Sequence, residues 1–169
     1  MSADVVAQLA LYAQLAVAVA GFAGVIGAFS QFRMHAEATA FRVRSMVSLA
    51  IGEMIFALLP IVLANFAIFS PRLLWGIAGV MLAVFASALM GYLGRSASRL
   101  YARGHLLRRA AHLMVVLGLV ALVPLGLALL GVGGLEVVPC YFALLFYGMA
   151  VCGYHFIMLI YAVRLDGGE

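Results

Sequence analysis

The chain has 169 residues, of which 67% are hydrophobic and 9% charged, with a formal net charge of +4. Charged residues make up about a quarter of an ordinary soluble domain, so this composition excludes a soluble fold. The basic residues are all arginine, and their placement ties the positive balance to membrane topology and anionic lipid headgroups, not to nucleic acid.

Five apolar runs, roughly 7–31, 45–69, 73–94, 113–131 and 138–163, are each long enough to cross about 30 Å of hydrocarbon as a helix rising about 1.5 Å per residue. The predicted class is therefore an all-α integral membrane protein. Residues 1–169 form a single membrane domain, a five-transmembrane-helix bundle. In the first run Ala16, Ala20, Gly24 and Ala28 recur every four residues, a small-residue row that permits close helix packing in lipid. No basic residue precedes this run and no small-residue cleavage site stands out, so it reads as a retained helix.

The second run carries Ala50, Glu53, Ala57, Pro60, Ala64 and Ala67 along one seam. All are small or apolar except Glu53, which is thereby predicted to point into the bundle. Pro60 has no amide hydrogen for the Phe56 carbonyl, which must find another partner inside the membrane. Ser70, Pro71 and Arg72 make a short connection to the third run. That run has its own row, Gly79, Ala83, Ser87 and Gly91, and begins near Trp75, an expected anchor at the interface. Arg95, Arg99 and Arg103 continue it as a basic stripe until Gly104.

Arg108, Arg109 and His112 open the fourth run, in which Pro124 frees the Val120 carbonyl. A glycine-rich turn over 131–136 leads to the fifth. There Tyr147, Tyr154 and Tyr161 lie on a seven-residue stripe whose rings can fill space beside small faces. Cys140 and Cys152 are twelve residues apart on this helix, about 18 Å, too far for a disulfide.

Nine arginines fall on one side of this topology: Arg33, Arg42, Arg44, Arg95, Arg99, Arg103, Arg108, Arg109 and Arg164. Only Arg72 falls on the other. The positive-inside rule then predicts an external N-terminus and a cytoplasmic C-terminus, in a bacterial-type cytoplasmic (inner) membrane. Arg95, Arg99, Arg103, Arg108 and Arg109 are expected to meet lipid phosphates or a cytoplasmic anion.

Glu53 lies nine residues after Arg44, and His155 nine before Arg164. At about 1.5 Å per residue both fall about 13 Å inside the same boundary. The same count brings Ser87, Gly24 and Gly118 to that layer, with Tyr154 adjoining it. A carboxylate at a helix centre costs roughly 2.5–3.5 kcal/mol to insert, so it persists only when paired, neutralised or hydrated. Glu53, His155, Ser87 and Tyr154 are thus the candidates for proton or ion handling. The plainer alternative is a hydrogen bond between Glu53 and His155 that sets helix register.

Other chemistry finds little footing. A single histidine in the core does not make a bis-histidine haem site, the absence of lysine excludes a retinal Schiff base, and no CxxC or HExxH spacing occurs. No cofactor, metal or catalytic residue is predicted. The expected function is a small channel or transporter acting as a homo-oligomer. The alternative is a non-catalytic accessory or scaffold subunit beside a partner membrane protein. Whether a cavity reaches Glu53 separates the two.

Overall fold

A computed structural model describes residues 1–30, 36–66, 68–100 and 105–166 of the chain. It contains five helices: α1 (Ala3–Ser30), α2 (Ala36–Asn65), α3 (Pro71–Leu100), α4 (His105–Leu129) and α5 (Val137–Asp166). There is no strand among the described residues. Each helix contains a stretch long and apolar enough to span a membrane, so the chain is a multi-pass helical membrane protein.

Several helices outrun their apolar runs toward the arginine-rich end. α2 starts at residue 36 where the run starts at 45, α4 at 105 where it starts at 113, and α3 continues to 100 where it ends at 94. An apolar run measures hydrocarbon thickness, whereas alanine and arginine carry a helix onward because both are strong helix formers.

The opposite ends stop sharply, for local reasons. Ser70 caps α3: its hydroxyl accepts from the Leu73 amide at 3.3 Å, with Pro71 at the first helical position. α4 ends in a Schellman motif. The amide of Val132 donates to the Leu127 carbonyl and that of Gly131 to Ala128, at 2.9 and 3.1 Å. Gly131 takes the required left-handed conformation at φ 72°.

α2, α3, α4 and α5 pack as a ring, each against the next, and α5 closes back on α2. α1 lies outside this ring, laid along α2 with lighter contact to α5. Its packed face differs from the expected one. Leu9, Ala13, Ala16 and Ala23 are buried, and Gly27 faces Val43 of α2. Gly24 is exposed, with open space where a side chain would go. The reason is angular. A strict spacing of four advances about 40° per step around the helix, so the row that enters the interface at Ala16 has left it by Gly24. Alternating steps of three and four stay in line. The row on α3 drifts in the same way, with Gly79 buried but Ser87 and Gly91 exposed.

The seam on α2 holds through its centre: Ala50, Glu53, Ala57 and Pro60 are all buried, while Ala64 is exposed. Trp75 also departs from expectation. It is only 9% exposed, and its ring stands edge-on to Tyr141 with centroids 5.5 Å apart. It is a packing residue of the ring of four helices, not a lipid-facing anchor.

Candidate functional site: a cavity inside the four-helix ring

The ring encloses a cavity of about 80 Å³. α2 contributes Arg42, Leu49, Gly52 and Glu53. α3 contributes Leu82, Phe85, Ala86 and Leu89; α4 adds Met114 and Val115; α5 adds Tyr147, Gly148, Val151 and His155. No described residue of α1 lines it. The walls are aliphatic and aromatic, and the polar groups gather toward two ends. By volume the space accommodates several water molecules.

Glu53 marks the inner end. The residue is 6% exposed, and its Oε2 is buried with no hydrogen-bond partner. The carboxyl lies against α5 at Gly148, where a β-carbon would collide with Oε1. Only glycine admits the acid there. Gly52 gives a similar close approach one residue earlier, since a β-carbon on it would collide with the Phe85 ring.

Beyond Glu53 the ring is packed shut toward the Pro71 end. Phe56 and Phe85 stack in a tilted pair with centroids 5.0 Å apart. The Tyr141 hydroxyl donates to the Phe56 carbonyl at 2.5 Å. This is the carbonyl that Pro60 leaves without its helical partner, so the need written into α2 is met by α5. Trp75, Leu74, Ala78 and Leu125 complete this core. Tyr141→Phe is expected to leave the Phe56 carbonyl unsatisfied in an apolar core, at a cost of about 1–3 kcal/mol. Thermal unfolding in detergent checks it; a melting temperature equal to wild type would show that the bond contributes nothing.

The other end of the cavity lies toward the arginine-rich side. There Arg42, only 8% exposed, donates to the Met158 carbonyl at 3.4 Å. His155 lines the same end, edge-on to Phe41 and beside Tyr154, with ring centroids 6.4 and 5.6 Å away. The acid and the imidazole therefore share one cavity without sharing one depth. Glu53 sits opposite Gly148, seven residues and two turns from His155, or about 10 Å along the axis. Counting inward from flanking arginines puts the two at one depth only if every arginine stands at the same distance from the membrane boundary, and long arginine side chains do not require that.

The remaining candidates are scattered. Tyr154 lines the cavity. Ser87 does not: it is exposed on α3, and its hydroxyl bonds back to the Ala83 carbonyl at 2.7 Å. Gly24 is exposed on α1 with open space around it, and with Gly27 against Val43 it lies well short of the level of Glu53. Gly118 does not line the cavity; it lies behind two residues that do, Met90 and Tyr147. Tyr147 also donates to the Met114 carbonyl, so this ring of the tyrosine stripe packs on α4 beside Gly118. Arg95 and Arg99 are exposed in the last turns of α3. Arg103 lies outside the described residues, as do the side chains of Arg108 and Arg109. Both cysteines are free and buried.

Arg42 is the residue that sequence reasoning missed. In the sequence it counts among the topology-setting charges near the membrane boundary. The available signal was its spacing: eleven residues before Glu53 is close to three full turns, so the two share one face of α2. Among the described residues no cluster of three or more potential metal ligands forms.

Fold and site together define a multi-pass helical membrane protein with an internal cavity polar at both ends. No protein-family profile, curated protein or solved structure matches the chain.

Proposed function

We propose that the chain is a small proton-coupled carrier, with Glu53 as the proton-handling group and the four-helix ring as the translocation unit. The observation that carries this reading is the buried Glu53 carboxyl, whose Oε2 has no hydrogen-bond partner, on the wall of a cavity that extends to His155 and Arg42. A purely structural glutamate would be expected to hold a hydrogen bond, since an unsatisfied buried polar group is costly. An acid left free beside a cavity is available to bind and release a proton.

The packed Pro71 end argues for alternating access over an open pore. In such a cycle the Tyr141–Phe56 bond would be broken when that end opens, near the proline of α2. The arginine asymmetry would direct the present cavity to the cytoplasm of a bacterial-type inner membrane. The cavity lies within one chain, so this reading needs no pore between subunits of a homo-oligomer.

Reconstitution tests the proposal. Liposomes holding the wild-type protein should pass protons down an imposed pH gradient in the presence of transported solute. Glu53→Gln should fold and lose most of that flux, because the amide keeps the shape but carries no exchangeable acid proton. Flux unchanged by Glu53→Gln would remove Glu53 as the proton carrier. Wild-type liposomes that match empty ones, across a range of candidate solutes, would favour the accessory-subunit reading.

A further inference from the structure

Arg42 carries a charge that the described residues do not answer. Its side chain is more than nine-tenths buried and lines the cavity. The guanidinium has five donor hydrogens and stays protonated in a protein. Among the described residues its hydrogen bond is the one to the Met158 carbonyl at 3.4 Å, longer than the usual N–H to oxygen contact. No carboxylate with a described side chain is within reach. Asp4 opens α1 and Glu136 precedes α5, both at the Pro71 end of the bundle. Glu53 stands eleven residues along α2, about 16 Å away. A buried cation without an anion is costly, so this end of the cavity calls for a negative charge.

His155 supplies a second polar group there. Met158 follows it by three residues, so the contact with Met158 holds Arg42 within about one turn of the imidazole. Phe41, next to Arg42, meets the His155 ring edge-on. A guanidinium from α2 and an imidazole from α5 therefore face one space. The whole cavity measures about 80 Å³, room for a few water-sized atoms and not for a longer ligand.

We infer that the Arg42 end of the cavity binds a small planar monovalent oxyanion, of the size of formate, nitrate or bicarbonate. Two oxygens of such an ion match the parallel N–H groups of the guanidinium fork. The imidazole offers a further N–H. A spherical halide cannot use the fork in this way, and sulfate brings a second charge that nothing described here offsets. Glu53 takes no part in the contact, since it lies about 10 Å deeper than His155 along the axis. As the transported solute, the oxyanion rests on the carrier reading and names its substrate class. An oxyanion that crosses with the proton of Glu53 moves as a neutral pair, which avoids carrying net charge through hydrocarbon.

The test measures binding directly, apart from transport. The full chain in zwitterionic-lipid nanodiscs is titrated with isotope-labelled formate, with gluconate, too large for the cavity, holding the ionic strength. Binding is read from NMR line broadening against empty nanodiscs. Saturable binding is expected, with a dissociation constant no tighter than roughly tens of micromolar for an ion of so few atoms. Nitrate should displace formate, chloride should do so less well, and sulfate should not. Arg42→Gln should weaken formate binding by roughly tenfold or more, the order of one charge-assisted bond. Arg42→Lys keeps the charge but not the fork, and should lose the preference for formate over chloride.

Ala97→Leu narrows the same end from α3. Ala97 lines the cavity twelve residues beyond Phe85, which meets Gly52, and Arg42 lies ten residues before Gly52 on the antiparallel α2. This variant leaves both polar groups in place and should abolish binding in a folded protein, which keeps the test decisive if Arg42→Gln fails to fold. No saturable binding, equal binding by wild type and Ala97→Leu, or displacement by chloride or sulfate as readily as by nitrate would each overturn the inference. Nanodiscs containing phosphatidylglycerol separate the free ion from a lipid headgroup. Formate binding should persist there, weakened only by the surface potential; its loss would assign Arg42 to lipid phosphate and overturn the inference too. Formate binding without proton-coupled uptake would sustain this site and sink the carrier. Proton flux that is lost in Glu53→Gln, with no formate binding in wild type, would do the reverse.

Discussion

Gly52→Leu is expected to lower the melting temperature of the protein in detergent by several degrees, whereas Gly24→Leu leaves it near wild type. Both positions are glycines within apolar helices, so composition offers no reason to separate them. Packing does. A β-carbon at Gly52 would collide with two ring carbons of Phe85, and that ring is backed by Phe56. Inserting atoms into such a contact forces side chains off their preferred rotamers or moves a helix, at a cost of about 1–3 kcal/mol.

At Gly24 nothing lies within 4 Å of the added carbon, and a leucine there meets lipid. Its better helix propensity even favours the variant, by about 1 kcal/mol relative to glycine. A second substitution sharpens the test. Phe85→Ala removes the ring that Gly52→Leu strikes, so the double variant should lose less than the sum of the two single losses. Identical melting of Gly52→Leu and Gly24→Leu would refute the packing of α2 on α3 described above.

The second large effect concerns Glu53 and Gly148, and its sign is opposite for the two residues. Glu53→Leu is expected to raise thermal stability while removing proton flux. The carboxyl carries a buried oxygen without a partner, and leaving a polar group unsatisfied costs about 1–3 kcal/mol that an apolar side chain does not incur. Natural sites retain such groups where activity requires them, at the expense of stability.

Gly148→Ala should destabilise, because its methyl would run into the Glu53 carboxyl, against Oε1 and 2.7 Å from the carboxyl carbon. The carboxyl must swing into the cavity or the helices must part. Combining Gly148→Ala with Glu53→Ala removes the collision, so most of the Gly148→Ala loss should vanish in that background. A double-mutant cycle on unfolding free energies reads this directly. Additive effects would mean that Glu53 does not lie against α5 at Gly148. A clear loss of stability in Glu53→Leu would mean that the acid has a partner and is structural.

Much of the architecture was legible in the chain because membrane physics leaves few choices. Hydrocarbon cannot hydrogen-bond a backbone, so a long apolar run in a chain without alternating strands is expected to be helical, and each of the five runs falls on one helix over most of its described residues. The inward direction of Glu53 was legible for a related reason. Its seam of Ala50, Ala57 and Pro60 is where another helix can approach, and a carboxyl on the lipid side would be too costly. The need of the Phe56 carbonyl for a partner followed from Pro60 alone.

What that partner is, tertiary structure decided. Tyr141 supplies it from α5, eighty-five residues away in sequence, and no local pattern encodes that distance. Relative depth was also beyond a single sequence. Arginines mark a helix's exit from the membrane only loosely, because their long side chains reach the interface from several positions and helices continue past it. A two-turn error therefore separated Glu53 from His155 and hid Arg42, which a topology count treats as a boundary charge.

The same limit applies to faces. A row of small residues at spacing four has no fixed orientation over three turns, so Ser87 and Gly24 were assigned inward and lie outward. Periodicity along one helix determines which residues can share a face. Which face meets which helix, and at what height, depends on how side chains such as Phe85, Tyr147 and Glu53 lock into Gly52, Gly118 and Gly148 of their neighbours. That interlock belongs to pairs of helices and is absent from any one of them.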